Sequence, residues 1–209
     1  MVTIEQLEAI DALIWLRSGI RASKACLCDE STITRRVRAV LKVFDLSFDK
    51  SRRFELLGDQ RLLRMERRLH QRARYCMATR RGALRLDVSL LQVEVESFAA
   101  TEGWFVGRSL FMEADALLDL LRNSVVDAVL VADVRSVDVF LNGLSVIHLS
   151  PSDGMGAEAG GWALLVLSTW IEEPSLRRLA EYLKRFVTEG TGSCSLALLP
   201  DSSSVEVSA

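Results

Sequence analysis

Apolar residues recur at helical spacing in the first part of this chain and in short unbroken runs in the second, so the pattern changes character near residue 80. Ile4, Leu7, Ile10 and Ile14 mark a first helix, with Leu13 and Trp15 widening its stripe, Thr3 placed to cap it, and Ser18 and Gly19 ending it. A second, shorter helix is expected over 20–27, where Ala22, Ala25 and Cys26 permit close packing. The third covers 29–42, DESTITRRVRAVLK. Asp29 can accept from the first free amides, and Ile33, Val37, Val40 and Leu41 form the apolar face. Its other face carries Ser31, Thr32, Arg35, Arg36, Arg38 and Lys42, hydroxyls followed by four cations with no carboxylate among them. That face suits a DNA major groove, and it equally suits the solvated side of an amphipathic surface helix. Two short helices joined by a turn, the second of them basic, form a helix-turn-helix pattern.

Residues 52–57, RRFELL, read as a hairpin edge whose Arg52 and Arg53 could touch phosphate. A long helix without an internal breaker is expected over 58–79. Leu62, Met65, Leu69, Ala73 and Cys76 form its narrow apolar seam, and the remainder is strongly basic. Such a seam suits pairing with a second copy of the chain, or covering the chain's own core. RRGA at 80–83 marks a boundary. Strands are then expected at 84–88, 104–111, 125–132, 137–141 and 144–149, and helices at 90–100 and 113–122. The nearly continuous apolar run VVDAVLVA implies a strand covered on both faces, as in a parallel α/β sheet.

Charge divides at the same place. Residues 1–83 hold 18 Lys and Arg against 10 Asp and Glu, a net of +8, while residues 84–209 carry −10. An anionic partner is therefore expected for the first part only; nucleic acid is the obvious one, and a membrane surface shares the charge preference. No apolar run reaches the length of a membrane span and no secretory leader is present, so a cytoplasmic protein is expected, with no membrane partner.

Candidate chemistry adds little. Cys26, Cys28, Cys76 and Cys194 are too sparse for a disulfide framework and read as reduced thiols. Cys26 and Cys28 with His70 or Cys76 match no zinc spacing well. Gly154, Gly156, Gly160 and Gly161 lack the Lys-Ser or Lys-Thr of a phosphate loop. His148 near Ser150 and Asp153 lacks a nucleophile elbow, and Glu172 and Glu173 read as a helix start. No catalytic residue, metal or cofactor is expected, and the chain is not read as an enzyme.

The order helix, SGIRAS, small-residue helix, then STITRRVRAVLKVFDLSFDKSRR resembles the winged helix-turn-helix of LysR-type transcriptional regulators. Ala22 and Ser23 fall on that family's paired alanines, Ile33 and Thr34 on its Val-Ser, Val37 on its Ile and Val40 on its Leu, with Phe44, Asp45 and Phe48 near its Leu-Gly and Leu-Phe. Asp29 and Glu30 replace its usual Ser-Gln, and Asp45 its usual Gly. A carboxylate at Glu30 opposes phosphate unless a cytosine amino group donates to it. In the resemblance, 58–80 is the linker helix through which two subunits pack antiparallel, RGALRLDV is the first strand of the effector domain, and LLDLLRNSVVDAVLVADV its helix and following strand. GWALLVLSTWIEEPSLRRLAEYLKRFV looks like the closing strand and last helix. Only residues 151–161 stand where a second subdomain normally lies, so the usual effector cleft between subdomains is not expected.

The fold expected is therefore α+β to α/β: a winged helix-turn-helix over 1–57, a linker helix over 58–80, a truncated α/β effector-like domain over 84–200, and a disordered tail over 201–209. The expected DNA-binding set is Ser31, Thr32, Thr34, Arg35, Arg36, Arg38, Lys42, Arg52 and Arg53, on double-stranded DNA. Leu62, Met65, Leu69, Ala73 and Cys76 would make a homodimer or higher oligomer, and the truncated domain could take a protein partner. The other reading is an interaction or antagonist subunit, derived from such a regulator, that pairs with proteins and does not itself read DNA.

Overall fold

The computed structural model describes residues 2–49, 52, 54–76, 84–90, 103–109, 114–131, 143–149 and 161–190. Three helices come first: α1 (Ile4–Leu16), α2 (Gly19–Ala25) and α3 (Glu30–Phe44). Each starts on a side chain that accepts from the helix's own free amides. Thr3 and Gln6 form a reciprocal capping box, Ser18 accepts from the Arg21 amide, and Asp29 from the Thr32 amide at 2.7 Å. Helix α3 ends with Asp45 in the left-handed region at φ 51°. Asp, whose short polar side chain tolerates that conformation, thus stands there without the glycine that the resemblance leads one to expect.

A two-stranded antiparallel hairpin follows, β1 (Ser47–Phe48) with β2 (Leu56–Leu57). Gly58 closes it at φ 113°, where a Cβ would sit 2.8 Å from Leu46 Cδ2 and 3.1 Å from the Asp45 carbonyl, so only glycine fits. Helix α4 (Arg61–Cys76) then leads to the sheet strands β3 (Leu84–Asp87), β4 (Trp104–Gly107), β5 (Ala128–Val131), β6 (Leu144–His148) and β7 (Ala163–Leu167). Helices α5 (Ala114–Arg122) and α6 (Pro174–Gly190) complete the described elements, with a short 3-10 turn at Ser168–Trp170.

The sheet runs in the order β4-β3-β5-β7-β6. Strands β4, β3 and β5 are parallel, whereas β7 runs against both β5 and β6. The expectation of a parallel sheet is therefore met on one side of β5 only. Ala128 to Val131 are all buried, as the apolar run implies, because both faces of β5 are covered. One face shares a hydrophobic cluster with α5 and with α1–α3; the other packs on Leu176, Leu179 and Leu183 of α6.

The first helices thus lie on the sheet itself. Trp15 meets Phe105 edge-on at 5.7 Å, its indole N–H donates to Asp87 at 2.6 Å, and its ring fills the space that Gly107 leaves open. Sandwiching buries α1 on more than its periodic stripe: Asp11, Ala12 and Trp15 are as buried as Ile10.

Helix α4 inverts the ordinary rule. Its apolar seam points outward, with Leu62, Met65 and Leu69 at 64%, 62% and 70% exposure, Ala73 half-buried and Cys76 exposed. The alternative in which this seam covers the chain's own core is thereby removed. Inward stand Leu63, Arg67, His70, Gln71, Arg74 and Tyr75. Asp11 accepts from Arg67 Nε at 2.7 Å and from Arg85 Nη1 at 3.0 Å, and Asp127 accepts from Arg74, Gln71 and the Arg85 amide. Trp170 donates to Gln71 at 2.9 Å and stacks on Tyr75. Two buried carboxylates therefore draw the basic face of α4 inside, since a charge removed from water survives only when paired.

The helix expected over 90–100, the strand over 137–141, the boundary at 80–83, the 151–160 stretch, the tail and Cys194 lie outside the described residues.

Candidate nucleic-acid interface

The candidate interface is built on α3. Ile33, Val37 and Val40 seat the helix on α1, to which it makes its most extensive contact, and this fixes which residues turn outward. Ser31, Thr34, Arg35, Arg38 and Lys42 are exposed, and Thr32 is partly so. Among the described residues Arg35, Arg38 and Lys42 take part in no ion pair, so their charge is available to a partner.

The hydroxyls are engaged locally. Ser31 Oγ and Thr32 Oγ1 donate to Asp29 at 2.6 and 3.0 Å, and Thr34 Oγ1 donates to the Glu30 carbonyl at 3.0 Å. These bonds to Ser31 and Thr32 hold the Asp29 carboxyl down at about 2, so it stays ionised at the start of the helix. What the three hydroxyls present outward is therefore lone pairs, which accept from base amino groups.

Arg36 departs from the expected set. It is half-buried and its Nη1 reaches Cys28 Sγ at 3.7 Å, so it braces α3 against the turn before it. Glu30 turns back over the start of α2: a Cβ on Gly19 would lie 2.8 Å from Glu30 Oε2. Its carboxylate thereby lies beside the N-terminal end of α2, where negative charge is favoured. Arg52 is exposed in the hairpin and lies 3.7 Å from Glu55; Arg53 lies outside the described residues.

No group of three or more metal-ligating side chains occurs among the described residues. Burial pushes the Cys26 thiol up to about 11, so it stays protonated. His148 is exposed at the end of β6. No described helix is long and apolar enough to cross a membrane.

No family model matches this sequence, and no curated protein matches it. Solved structures do. A full-length OxyR variant from Pseudomonas aeruginosa matches 71% of this chain and 55% of its own length, at 16% identity and a TM-score of 0.41. An OxyR variant from Corynebacterium glutamicum matches 91% of this chain and 94% of its own, at 11% identity and a TM-score of 0.44. CrgA of Neisseria meningitidis, described as a LysR-type transcriptional regulator, matches 92% of this chain at 12% identity and a TM-score of 0.35. These are distant likenesses. The chain spans about half the length of the first of them.

Sequence reasoning reached the outward face of α3 but not the buried charge cluster behind it. A signal was present. Asp11 interrupts the apolar stripe of the first helix and Asp127 the apolar run of a strand, and an isolated carboxylate in such a place needs a buried cation.

Proposed function

We propose that this chain is a DNA-binding transcriptional regulator of the LysR type. In this reading α1–α3 and the β1–β2 hairpin form a winged helix-turn-helix, α3 enters the major groove, and α4 is the linker through which two copies pair. One observation carries the reading: Arg35, Arg38 and Lys42 are unpaired cations on the open face of a helix whose other face is buried. Thr34 and the acceptor lone pairs of Ser31 and Thr32 lie toward the same helix's beginning, and Arg52 supports from the hairpin. The α/β half acts as a truncated regulatory subdomain, without the usual cleft between two subdomains. Titration of duplex DNA at two salt concentrations tests this, with affinity falling steeply as salt rises. Absence of binding to any duplex at low salt would refute it.

A second reading is supported by Asp29 and Glu30 at the start of α3 and by the open seam of α4. In it the chain is an interaction subunit that pairs with other proteins through Leu62, Met65 and Leu69 or through the α/β half. A stable heteromer unaffected by Arg35→Ala and Arg38→Ala, together with no duplex binding, would favour it.

A further inference from the structure

The side chains that open α3 can accept hydrogen bonds but have no proton left to give. Ser31 Oγ donates to Asp29 Oδ1 at 2.6 Å, Thr32 Oγ1 to Asp29 Oδ2 at 3.0 Å, and Thr34 Oγ1 to the Glu30 carbonyl at 3.0 Å. A hydroxyl has one proton and two lone pairs, so each oxygen keeps acceptor capacity alone. None of the three accepts from another group among the described residues. The bonds of Ser31 and Thr32 run to a carboxylate, and bonds to an ionised partner are stronger than those between neutral groups. Asp29 itself is held in place, because the same carboxylate caps the helix through the Thr32 amide at 2.7 Å.

Asp29, Ser31 and Thr34 are exposed, whereas Thr32 is half-buried. Ser31 begins a line of exposed residues that continues through Arg35, Arg38 and Lys42 at spacings of four, three and four, with Thr34 beside it. Side-chain donors on this line therefore start one turn after the acceptors. Glu30, the other carboxylate at this end, turns away toward Gly19.

In a major groove guanine shows two acceptors, thymine an acceptor and a methyl group, adenine an acceptor beside an amino donor, and cytosine an amino donor alone. Lone pairs at the start of α3 oppose guanine and thymine outright and adenine at its ring nitrogen. Cytosine matches without an opposing acceptor. Resting on the DNA-binding reading above, we propose that Asp29, Ser31 and Thr34 select a cytosine by accepting from its amino group. Asp29 is then a specificity residue as well as a cap.

The test starts from the full chain at low salt with a pool of random-sequence duplexes, from which the bound duplexes are recovered and sequenced. Each consensus cytosine is then replaced by pyrimidinone, the analogue without the amino group, and affinities are measured for the native chain, Ser31→Ala and Thr34→Ala. At one cytosine the native chain is expected to lose about tenfold in affinity with the amino group, and Ser31→Ala distinctly less. The ratio between the two duplexes cancels any general weakening of the helix, so a merely structural role for Ser31 leaves that ratio unchanged. Thr34→Ala serves in the same way if Ser31→Ala disturbs the cap. A consensus whose cytosines all tolerate the analogue, or equal losses in the native chain and both folded variants, overturns the cytosine assignment and leaves the DNA-binding reading standing. Enrichment of no duplex overturns both.

Discussion

Asp11 accepts from Arg67 across 2.7 Å with both side chains almost wholly buried, so an ion pair joins the first and fourth helices beside the apolar cluster that Leu63 shares with Ile10 and Ile14. Asp11→Ala leaves Arg67 and Arg85 facing an empty interior. A loss of about 3–5 kcal/mol is expected, because removal of one member strands the others without water. Urea denaturation monitored by circular dichroism measures it. A loss no larger than that of a surface substitution would show that the pair is solvated.

His70 gives the same cluster a pH dependence. Burial, followed by the nearby Arg74 and Arg85, pushes its imidazole down to about 4 from the ordinary 6.5, against the opposing pull of Asp11 and Asp127. It is neutral when folded, with Nδ1 accepting from Arg74 at 3.2 Å. Between those two values the unfolded chain binds the extra proton. Stability is therefore lost as pH falls from about 6.5 to about 4, by on the order of 2–3 kcal/mol, and this contribution is constant below. Melting temperatures of the native chain and His70→Gln, compared across that window, should differ in slope. Asp11 adds a separate loss at lower pH: burial raises its carboxyl, but Arg67 and Arg85 outweigh that and hold it below its ordinary value.

Gly107→Ala tests the docking of α1 on the sheet. The new methyl would lie 2.6 Å from Trp15 Cζ2, and neither the strand nor the buried indole can retreat freely. Overpacking at such a contact costs about 1–3 kcal/mol. Trp15 fluorescence is expected to change with it; an unaltered melting curve would mean that the helix and sheet separate readily.

Leu69→Glu addresses pairing through α4. Leu69 is 70% exposed, so the monomer should melt nearly as before, while sedimentation equilibrium should show any dimer weakened at least tenfold. If two copies pack antiparallel, Cys76 of each meets the far end of the other, and oxidation should not cross-link the Cys76 thiols. Efficient cross-linking at Cys76 would indicate parallel pairing.

Arg38→Ala and Arg36→Ala should separate on DNA. Arg38 is an open cation and its loss is expected to weaken duplex binding and reduce the salt slope by about one. Arg36 is spent on Cys28, so its loss should lower stability more than the salt slope. Equal slopes for both variants would count against α3 as the contacting helix.

Local order was legible in the sequence because it rests on short-range chemistry. Thr3 and Asp29 cap the helices that the periodicity of Ile10, Ile33, Val37 and Val40 predicts, and the apolar run around Val129 forms the covered strand, whereas Ser18, read as the end of the first helix, caps the second. The outward set Arg35, Arg38 and Lys42 follows from that same periodicity. Arg36 does not belong to it, since three residues after Ile33 and four before Val40 it borders the buried face, where its guanidinium meets Cys28. Tertiary structure alone decided the two remaining matters. Periodicity shows that α4 has an apolar and a basic face, but which face turns inward depends on Asp11 and Asp127, more than fifty residues away on either side. The antiparallel entry of β7 beside β5, and the seating of Trp15 over Gly107, likewise depend on partners that meet only when the chain has folded. Spacing along a chain encodes the faces of each element; what each face meets is set by long-range pairing of charge and shape.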